Sequence, residues 1–194
     1  MDIELKKCIK EGNINLLIFF ISNGARFRDN NEKYLHYAIE VNNLEAVKVM
    51  VEAGSNIHVN NFSLINYAVS LKRKKILRYL KEKGGNMNEG LIMAIMEWDE
   101  EMVNFMLELG ADKSYQNWFP VMLCFFKGNL RMIKMMGEID EEVKHRGIEH
   151  AFYHGKDEIL EYYLMVEKVD LDLIGNLKEK IIEWGLRKNL FMYC

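Results

Sequence analysis

Residues Leu35 to Val59 read L-H-Y-A-I-E-V-N-N-L-E-A-V-K-V-M-V-E-A-G-S-N-I-H-V, and this stretch decides the fold because versions of it recur along the chain. An earlier copy, from Leu5 to Ala25, reads L-K-K-C-I-K-E-G-N-I-N-L-L-I-F-F-I-S-N-G-A. Recurrence at a nearly fixed spacing is typical of stacked helical units rather than of a globule built around one cleft. The pattern therefore favours a binding protein over an enzyme.

The copies align on a small residue in the middle of each first apolar stretch, which we call the anchor. The anchors are Cys8, Ala38, Ala68, Ala94, Cys124 and Ala151, with the larger Ile181 in a seventh, final copy. Successive anchors lie 30, 30, 26, 30, 27 and 30 residues apart. A small side chain is expected there because neighbouring helices pack closely around it, and a free cysteine behaves as a small hydrophobe.

A second helix is predicted after each anchor. Apolar residues recur eight, nine and twelve positions beyond it, as in Ala46, Val47 and Met50, and this spacing forms one stripe of an amphipathic helix. Sixteen positions after the first four anchors comes a glycine, at Gly24, Gly54, Gly84 and Gly110. A glycine just past an apolar stripe ends a helix because it accepts a left-handed backbone. Each copy thus predicts helix, tight turn, helix, glycine stop and polar connector.

The repeated unit resembles the ankyrin repeat. The family's T-P-L-H-x-A signature is partly present as Y-L-H-Y-A from Tyr34 to Ala38, and its G-A-D tail is present from Gly110 to Asp112. The chain's only proline, Pro120, stands at the signature's proline position, in the first turn of a predicted helix, where a missing N–H costs nothing. The resemblance runs from about Leu5 to Trp184 and implies an all-α ankyrin-repeat solenoid.

On this resemblance we expect a single domain, 1–194, with repeats at about 3–32, 33–62, 63–88, 89–118, 119–145 and 146–175 and a capping partial repeat at 176–194. The period is mostly 30 residues, against about 33 in the family, and the shortage falls in the connector that carries the β-hairpin finger. We expect short or absent fingers, above all after Gly84 and Met136. Threonine is absent, which leaves Ser63 as a hydroxyl cap. The short period and asparagine-rich connectors resemble the ankyrin proteins of giant DNA viruses.

The composition argues against several other classes of protein. A net charge of -3 gives no electrostatic footprint for nucleic acid or an anionic membrane. The longest apolar run, Leu16 to Ile21, is far shorter than a bilayer span, and the N-terminus lacks the order of a signal peptide. Cys8, Cys124 and Cys194 are odd in number and widely spaced, against a disulfide framework or metal site. We expect a soluble, cytoplasmic monomer, in the host cytoplasm if the protein is viral, with no cofactor.

The expected binding surface lies on the first helices, which line the concave face of an ankyrin stack. Its exposed positions lie one before the anchor and two or three after it. The first copy is charged there, but the middle copies are apolar or aromatic, and we predict a partner-binding stripe of Tyr37, Tyr67, Met93, Met96, Leu123, Phe126 and Tyr153. Exposed aromatic and methionine side chains are typical of recognition surfaces, so the stripe is expected to grip a helix or extended segment of a protein. Alternatively, the shortened fingers fold over it and make it core.

The predicted function is protein–protein binding without catalysis. The alternative is a substrate-recruiting adaptor of a ubiquitin ligase or another host-directed complex. Poxviral ankyrin proteins often end in an F-box-like segment of that kind, but the tail from Leu190 to Tyr193 is short and lacks the proline expected there. That tail either folds back on the last repeat or pairs with another chain. The first helix, with Lys6 and Lys7, supplies the charged opening that a terminal repeat needs.

Two further patterns are candidates for a metal site and for a phosphate or nuclear-signal site. His150 and His154 lie one helical turn apart and could bind a metal with Glu149 or Asp157, but no H-E-x-x-H pattern is present and we predict no metal. The basic run from Lys72 to Lys75 could pass for a nuclear signal or phosphate patch, but it falls in a turn between helices, where polar residues are expected. No nucleophile triad, Walker loop or dinucleotide fingerprint occurs, so no catalytic residue is predicted.

Overall fold

The computed structural model describes residues 2–27, 29–58, 63–188 and 190. All regular secondary structure in these residues is helical, and no strand occurs among them. The all-α prediction is therefore confirmed. The chain divides into two compact units, Met1–Asp112 and Lys113–Cys194, which are taken in turn.

The first unit contains four helix–turn–helix pairs in its described part. The helices are α1 (Asp2–Glu11), α2 (Ile14–Ser22), α3 (Asp29–Glu40), α4 (Leu44–Glu52), α5 (Leu64–Ser70), α6 (Lys74–Glu82), α7 (Met87–Met96) and α8 (Glu100–Glu108). The first helices of successive pairs pack on one another, α1 on α3, α3 on α5 and α5 on α7. The second helices pack likewise, α2 on α4 and α4 on α6. The unit therefore has one layer of first helices and one of second helices.

The second unit continues the same alternation with less regular second helices. Its elements are α9 (Tyr115–Lys127), α10 (Leu130–Met135), α11 (Glu141–Tyr153), α12 (Asp157–Glu161), a π-helical turn (Tyr162–Val166), a 3₁₀ helix (Leu171–Leu177) and α13 (Lys178–Arg187). The first helix α9 packs on α10 and α11, and α11 packs on α12 and the 3₁₀ helix. Apolar side chains of the irregular segment, including Tyr163 and Leu164, are still buried.

All seven anchors are buried, from Cys8 to Ile181, as their small size predicts for most of them. In six repeats the anchor also closes the turn between the two helices. The residue four positions later has a left-handed backbone, at Gly12, Asn42, Lys72, Trp98, Gly128 and Gly155. The next residue donates its backbone N–H to the anchor's carbonyl oxygen, as from Asn43 to Ala38 over 2.8 Å. Lysine and tryptophan bear a backbone cost of about 1–2 kcal/mol in this conformation, which the repeated hydrogen bond and packing must offset.

The four predicted glycine stops are confirmed. Gly24, Gly54, Gly84 and Gly110 have φ between 80° and 96°. At each one the following residue donates its N–H back to the last turn of the helix, as from Ala25 to the carbonyl oxygen of Phe20 over 3.0 Å. This return hydrogen bond is typical of the Schellman ending, in which a left-handed residue allows backbone N–H groups to satisfy carbonyl groups that the helix leaves unpaired.

The start of the second unit departs from a simple helix. Gln116, Asn117 and Trp118 have left-handed backbones, and the right-handed part of α9 follows them. Pro120 therefore lies in the first turn of that part, as the sequence predicts. Ser63 also caps α5 as expected, because its hydroxyl oxygen accepts the backbone N–H of Asn66 at 3.5 Å. The short connector after Gly84 leaves only Gly85 and Asn86 before α7 begins.

The residue after the left-handed turn joins neighbouring repeats at two positions of the first unit, Asn43 and Arg73. Asn43 accepts the N–H of Ala46 at 3.0 Å, which caps α4, and donates to the carbonyl oxygen of Ile9 at 2.7 Å in the repeat before. Arg73 donates to the carbonyl oxygens of Ile39 at 3.2 Å and Glu40 at 2.6 Å. Asn43 thus caps the second helix and holds the preceding first helix, whereas Arg73 makes only the second kind of contact.

We expect Asn43→Ala to lower the free energy of unfolding by about 2 kcal/mol. It removes a helix cap worth about 1 kcal/mol and an inter-repeat hydrogen bond worth about 1 kcal/mol. Asn13 is the matched control, since it caps α2 by accepting the N–H of Leu16 at 3.1 Å but lies in the first repeat. Asn13→Ala should cost only about 1 kcal/mol. Urea unfolding of both variants measures the difference, and equal losses would contradict the inter-repeat role of Asn43.

Candidate binding surfaces

The seven residues predicted to form the partner-binding stripe are all at least partly accessible. Met96, Phe126 and Tyr153 are exposed, to 54%, 44% and 60%. Tyr37, Tyr67, Met93 and Leu123 are half-buried. None of the seven is fully buried, which argues against the alternative in which shortened fingers cover them and make them core.

In the first unit, the side chains of this surface touch from one first helix to the next. The Lys6 ammonium lies 5.8 Å from the ring centre of Tyr37. His36 and Tyr67 have ring centres 5.4 Å apart. Ser70 donates its hydroxyl to Glu97 at 2.5 Å. These contacts hold Tyr37 and Tyr67 in place, which lowers the entropy lost when a partner binds.

Tyr67 contributes a polar group to this surface, whereas the nitrogens of His36 face the protein. Burial and, secondarily, the Glu40 carboxylate raise the pKa of Tyr67, so its hydroxyl stays protonated at neutral pH and can donate a hydrogen bond. The Nδ1 atom of His36 lies 3.2 Å from the carbonyl oxygen of Glu32, one turn earlier in the same helix. This contact is to the backbone of its own helix.

In the second unit, the predicted residue Phe126 belongs to an aromatic stack with His150 and His154. The ring centres of Phe126 and His150 are 4.4 Å apart, and those of His150 and His154 are 3.9 Å apart with planes at 13°. Burial lowers the pKa of His150, and the nearby positive groups His154 and Lys156 lower it further. His150 is therefore neutral at pH 7 and packs as an aromatic side chain.

The arrangement of His150 and His154 does not suit a metal ion. Their rings are stacked face to face, so their nitrogen lone pairs, which lie in the ring planes, do not converge on one point. The Nδ1 atom of His154 already lies 2.9 Å from the carbonyl oxygen of His150. Across the described part of the chain, no group of three or more His, Cys, Asp or Glu residues could hold a metal ion.

The basic run from Lys72 to Lys75 lies in a turn and the start of α6, as predicted, but it is not merely solvated. The Lys72 ammonium lies 2.5 Å from a carboxylate oxygen of Asp99, and that of Lys74 lies 2.5 Å from Glu101. Arg73 binds the two backbone carbonyl groups described above. Three of the four basic side chains thus hold neighbouring repeats together, which sequence spacing alone did not reveal.

A cavity of about 320 Å³ lies in the second unit, beside Lys134, Lys144, Tyr162 and Glu167. Its polar groups are already paired. Lys134 lies 3.9 Å from the ring centre of Tyr162, whose hydroxyl donates to Glu167 at 2.6 Å. Lys144 lies 2.5 Å from Glu141. These pairings engage Lys134, Lys144, Tyr162 and Glu167 within the second unit.

The sequence analysis missed an exposed apolar surface in the first repeat. Leu16, Ile18 and Phe19 of α2 are exposed, to 38%, 46% and 57%. The charged opening helix α1 does expose Lys6 and Lys7. The exposed side of α2, in contrast, is apolar and not polar. The apolar run itself is visible in the sequence. Which of its side chains are covered depends on the neighbouring helices of the folded chain, and the sequence does not show this.

Comparison with known proteins identifies the fold. Residues 5–90 match the family model for ankyrin repeats in three copies. The crystal structure of the ankyrin repeat domain of Bcl-3, a member of the IkappaB family, is similar, with a TM-score of 0.63 and 18% sequence identity over 82% of this chain and 84% of that chain. No curated protein matches the chain. None of the described helices has both the length and the apolar character needed to cross a bilayer.

The chain therefore has the fold of an all-helical ankyrin-repeat solenoid, and its residues 5–90 carry ankyrin repeats. Ankyrin repeats are generally protein–protein interaction modules, and the fold is typically non-catalytic.

The buried cysteines give a prediction that checks their structural role. Burial raises the pKa of Cys124 to about 12, so at pH 8 only about one thiol in ten thousand is ionised. We expect Cys124 to resist iodoacetamide in the folded protein and to react fully in concentrated urea, as measured by peptide mass spectrometry. Labelling of native Cys124 at the rate of a free thiol would contradict its place in the core. Cys194 lies outside the described residues.

Proposed function

We propose that this protein is a non-catalytic binding module that holds a helix or extended segment of a partner protein against its first helices. The residues assigned to this contact are Tyr37, Tyr67, Met93 and Met96 in the first unit and Leu123, Phe126 and Tyr153 in the second. The observation that carries the proposal is that large apolar side chains remain accessible at positions that helix packing does not require. Such side chains supply most of the affinity in protein interfaces.

The character of these surfaces favours a mostly apolar partner segment with a few hydrogen-bonding groups. Methionine adapts its shape to a partner, while tyrosine adds a hydroxyl to a large apolar ring. The neutral hydroxyl of Tyr67 and the neutral ring of His150 add hydrogen-bonding groups without charge. At the first repeat, the exposed charges of Lys7 and Glu11, whose charged atoms are 3.9 Å apart, would form a polar border.

The proposed setting is the cytoplasm of an infected host cell, with the protein acting as a monomer of six repeats and a partial cap. The short period and asparagine-rich connectors support this proposal through their resemblance to viral ankyrin proteins. Imaging of the tagged protein in its native cells should show a cytoplasmic signal, and a strictly nuclear one would contradict it. The adaptor alternative depends on the C-terminal tail, of which residues 191–194 lie outside the described part.

The proposal predicts that Met96→Glu and Tyr153→Glu each reduce partner capture about tenfold or more, because a charge replaces an apolar contact at a desolvated interface. Both side chains are exposed, so the melting temperature should change by less than about 2 °C. Leu186→Glu is the matched control, since Leu186 is 55% exposed but lies outside the proposed surfaces. Affinity capture from native cells, followed by quantitative mass spectrometry, measures the effect.

Undiminished capture by both stable variants would contradict the proposed surfaces. A large fall in melting temperature would show instead that the side chains are structural. Co-purification of ubiquitin-ligase components, lost in the same variants, would favour the adaptor alternative over a simple binding module.

A further inference from the structure

The outer side of α2 is an apolar surface on a helix without any charged residue. Its nine residues read I-N-L-L-I-F-F-I-S, and only Leu17 among them is buried. Leu16, Ile18 and Phe19 are exposed to solvent. An exposed apolar cluster of this kind is typical of an interaction site.

Equivalent positions in the later repeats of the first unit show what α2 lacks. Eight positions after the anchor, Ala46, Ile76 and Met102 are at most 1% exposed, whereas Leu16 is 38% exposed. Eleven positions after the anchor, Tyr79 and Phe105 are 7% and 3% exposed, whereas Phe19 is 57% exposed. The later repeats have a preceding second helix in the described structure, and the first repeat has none. Leu16 thus occupies a position that is buried in each later repeat of the first unit, and Phe19 occupies one that is buried in the third and fourth repeats and half-buried at Val49 in the second.

The chain also shows the chemistry of the helix that covers this position. Lys74 and Arg78, four residues apart on α6, each place their charge 5.0 Å from the ring centre of Phe105 in the next repeat. In the second unit, Lys134 of α10 lies 3.9 Å from the ring centre of Tyr162 in the repeat that follows. A cation over an aromatic face is attracted by the negative charge density of the ring. Basic residues on the preceding second helix therefore recur at this contact.

We propose that the exposed side of α2 is a docking site for a basic, amphipathic helix of a partner protein. The apolar residues of that helix would cover Leu16, and a lysine or arginine would lie over Phe19, as Lys74 and Arg78 lie over Phe105. This surface is on the second helix and is separate from the proposed first-helix surfaces. The absence of charge on α2 fits this partner, because no basic side chain of α2 repels the incoming cation.

The probe for this site is a peptide based on α6 itself, K-K-I-L-R-Y-L-K-E, held helical by a hydrocarbon staple on its solvent side and labelled with fluorescein. The full chain is titrated into the peptide and fluorescence anisotropy is followed. We expect saturable binding with a dissociation constant in the micromolar range, on the order of 10–100 µM for a contact of one helix. Phe19→Ala should weaken binding about tenfold or more, because it removes both apolar area and the aromatic face.

Two controls separate this result from general stickiness. Leu186→Ala removes an equally exposed apolar side chain elsewhere and should leave binding unchanged. A peptide with glutamine at the positions of Lys74 and Arg78 should bind about three- to tenfold more weakly to the normal chain and show a smaller loss with Phe19→Ala. Because Phe19 is exposed, Phe19→Ala should keep the normal melting temperature, which shows that a loss of binding is not a loss of folding.

Several outcomes would overturn the proposal. They are no binding up to about 0.5 mM peptide, equal binding by Phe19→Ala, and equal binding of the glutamine peptide. A concentration-dependent dimer that Phe19→Ala abolishes, measured by light scattering, would assign the surface to a second copy of this chain. Binding to phosphatidylcholine–phosphatidylserine vesicles that Phe19→Ala abolishes, with no peptide binding, would assign it to lipid. These results leave the first-helix proposal untouched, since none of its residues lies on α2.

Discussion

The rest of the structure depends on the hydrogen bond that closes each turn on the carbonyl oxygen of a buried small residue. In six repeats the backbone N–H five positions after the anchor donates to that oxygen, as from Asn13 to Cys8 over 2.9 Å. The bond reverses the chain at once, so that the second helix can return along the first. Most of these helices have thirteen residues or fewer, which is too short for stability in isolation. The pair becomes stable only because the small anchor lets the two layers pack.

The same turn also connects the repeats, and this gives the stack its cohesion. Asn43 and Arg73, directly after two of the turns, bind carbonyl groups at the end of the preceding first helix. Asp99, in the next repeat, caps its own helix by accepting the N–H of Met102 at 3.0 Å and pairs with Lys72 in the preceding turn. Different side chains thus make one type of contact, because the geometry of the turn and not the identity of the residue brings them there.

Packing uses the inner positions of both helices and leaves two kinds of surface available for function. The first-helix positions next to the anchor include accessible side chains, and Met96, Phe126 and Tyr153 among them are exposed. The second kind lies on α2, where Leu16 and Phe19 are exposed although the equivalent Ile76 and Tyr79 are buried. The first surface follows from the repeat itself, whereas the second follows from the absence of a preceding repeat in the described structure.

Much of the fold could be predicted because the features that define it are local. Gly24 and its three counterparts end helices through their own backbone conformation, and Ser63 caps α5 within four residues. The turn at Trp98 could not be predicted, because a bulky residue adopts a left-handed backbone there only when the surrounding repeat requires it. The π-helical turn from Tyr162 to Val166 and the left-handed start of α9 were missed for the same reason.

The sequence by itself determined the helix–turn–helix unit, the buried anchors and the positions of the first helices that remain accessible, since spacing along one helix decides which side chains share a face. Only the tertiary structure decided how the basic run near Lys72 is used, how Phe126 packs against His150, and which side of α2 is uncovered. Those outcomes depend on a neighbouring helix about one repeat away in sequence. Burial and charge pairing are set by that neighbour, and no local pattern records where it lies.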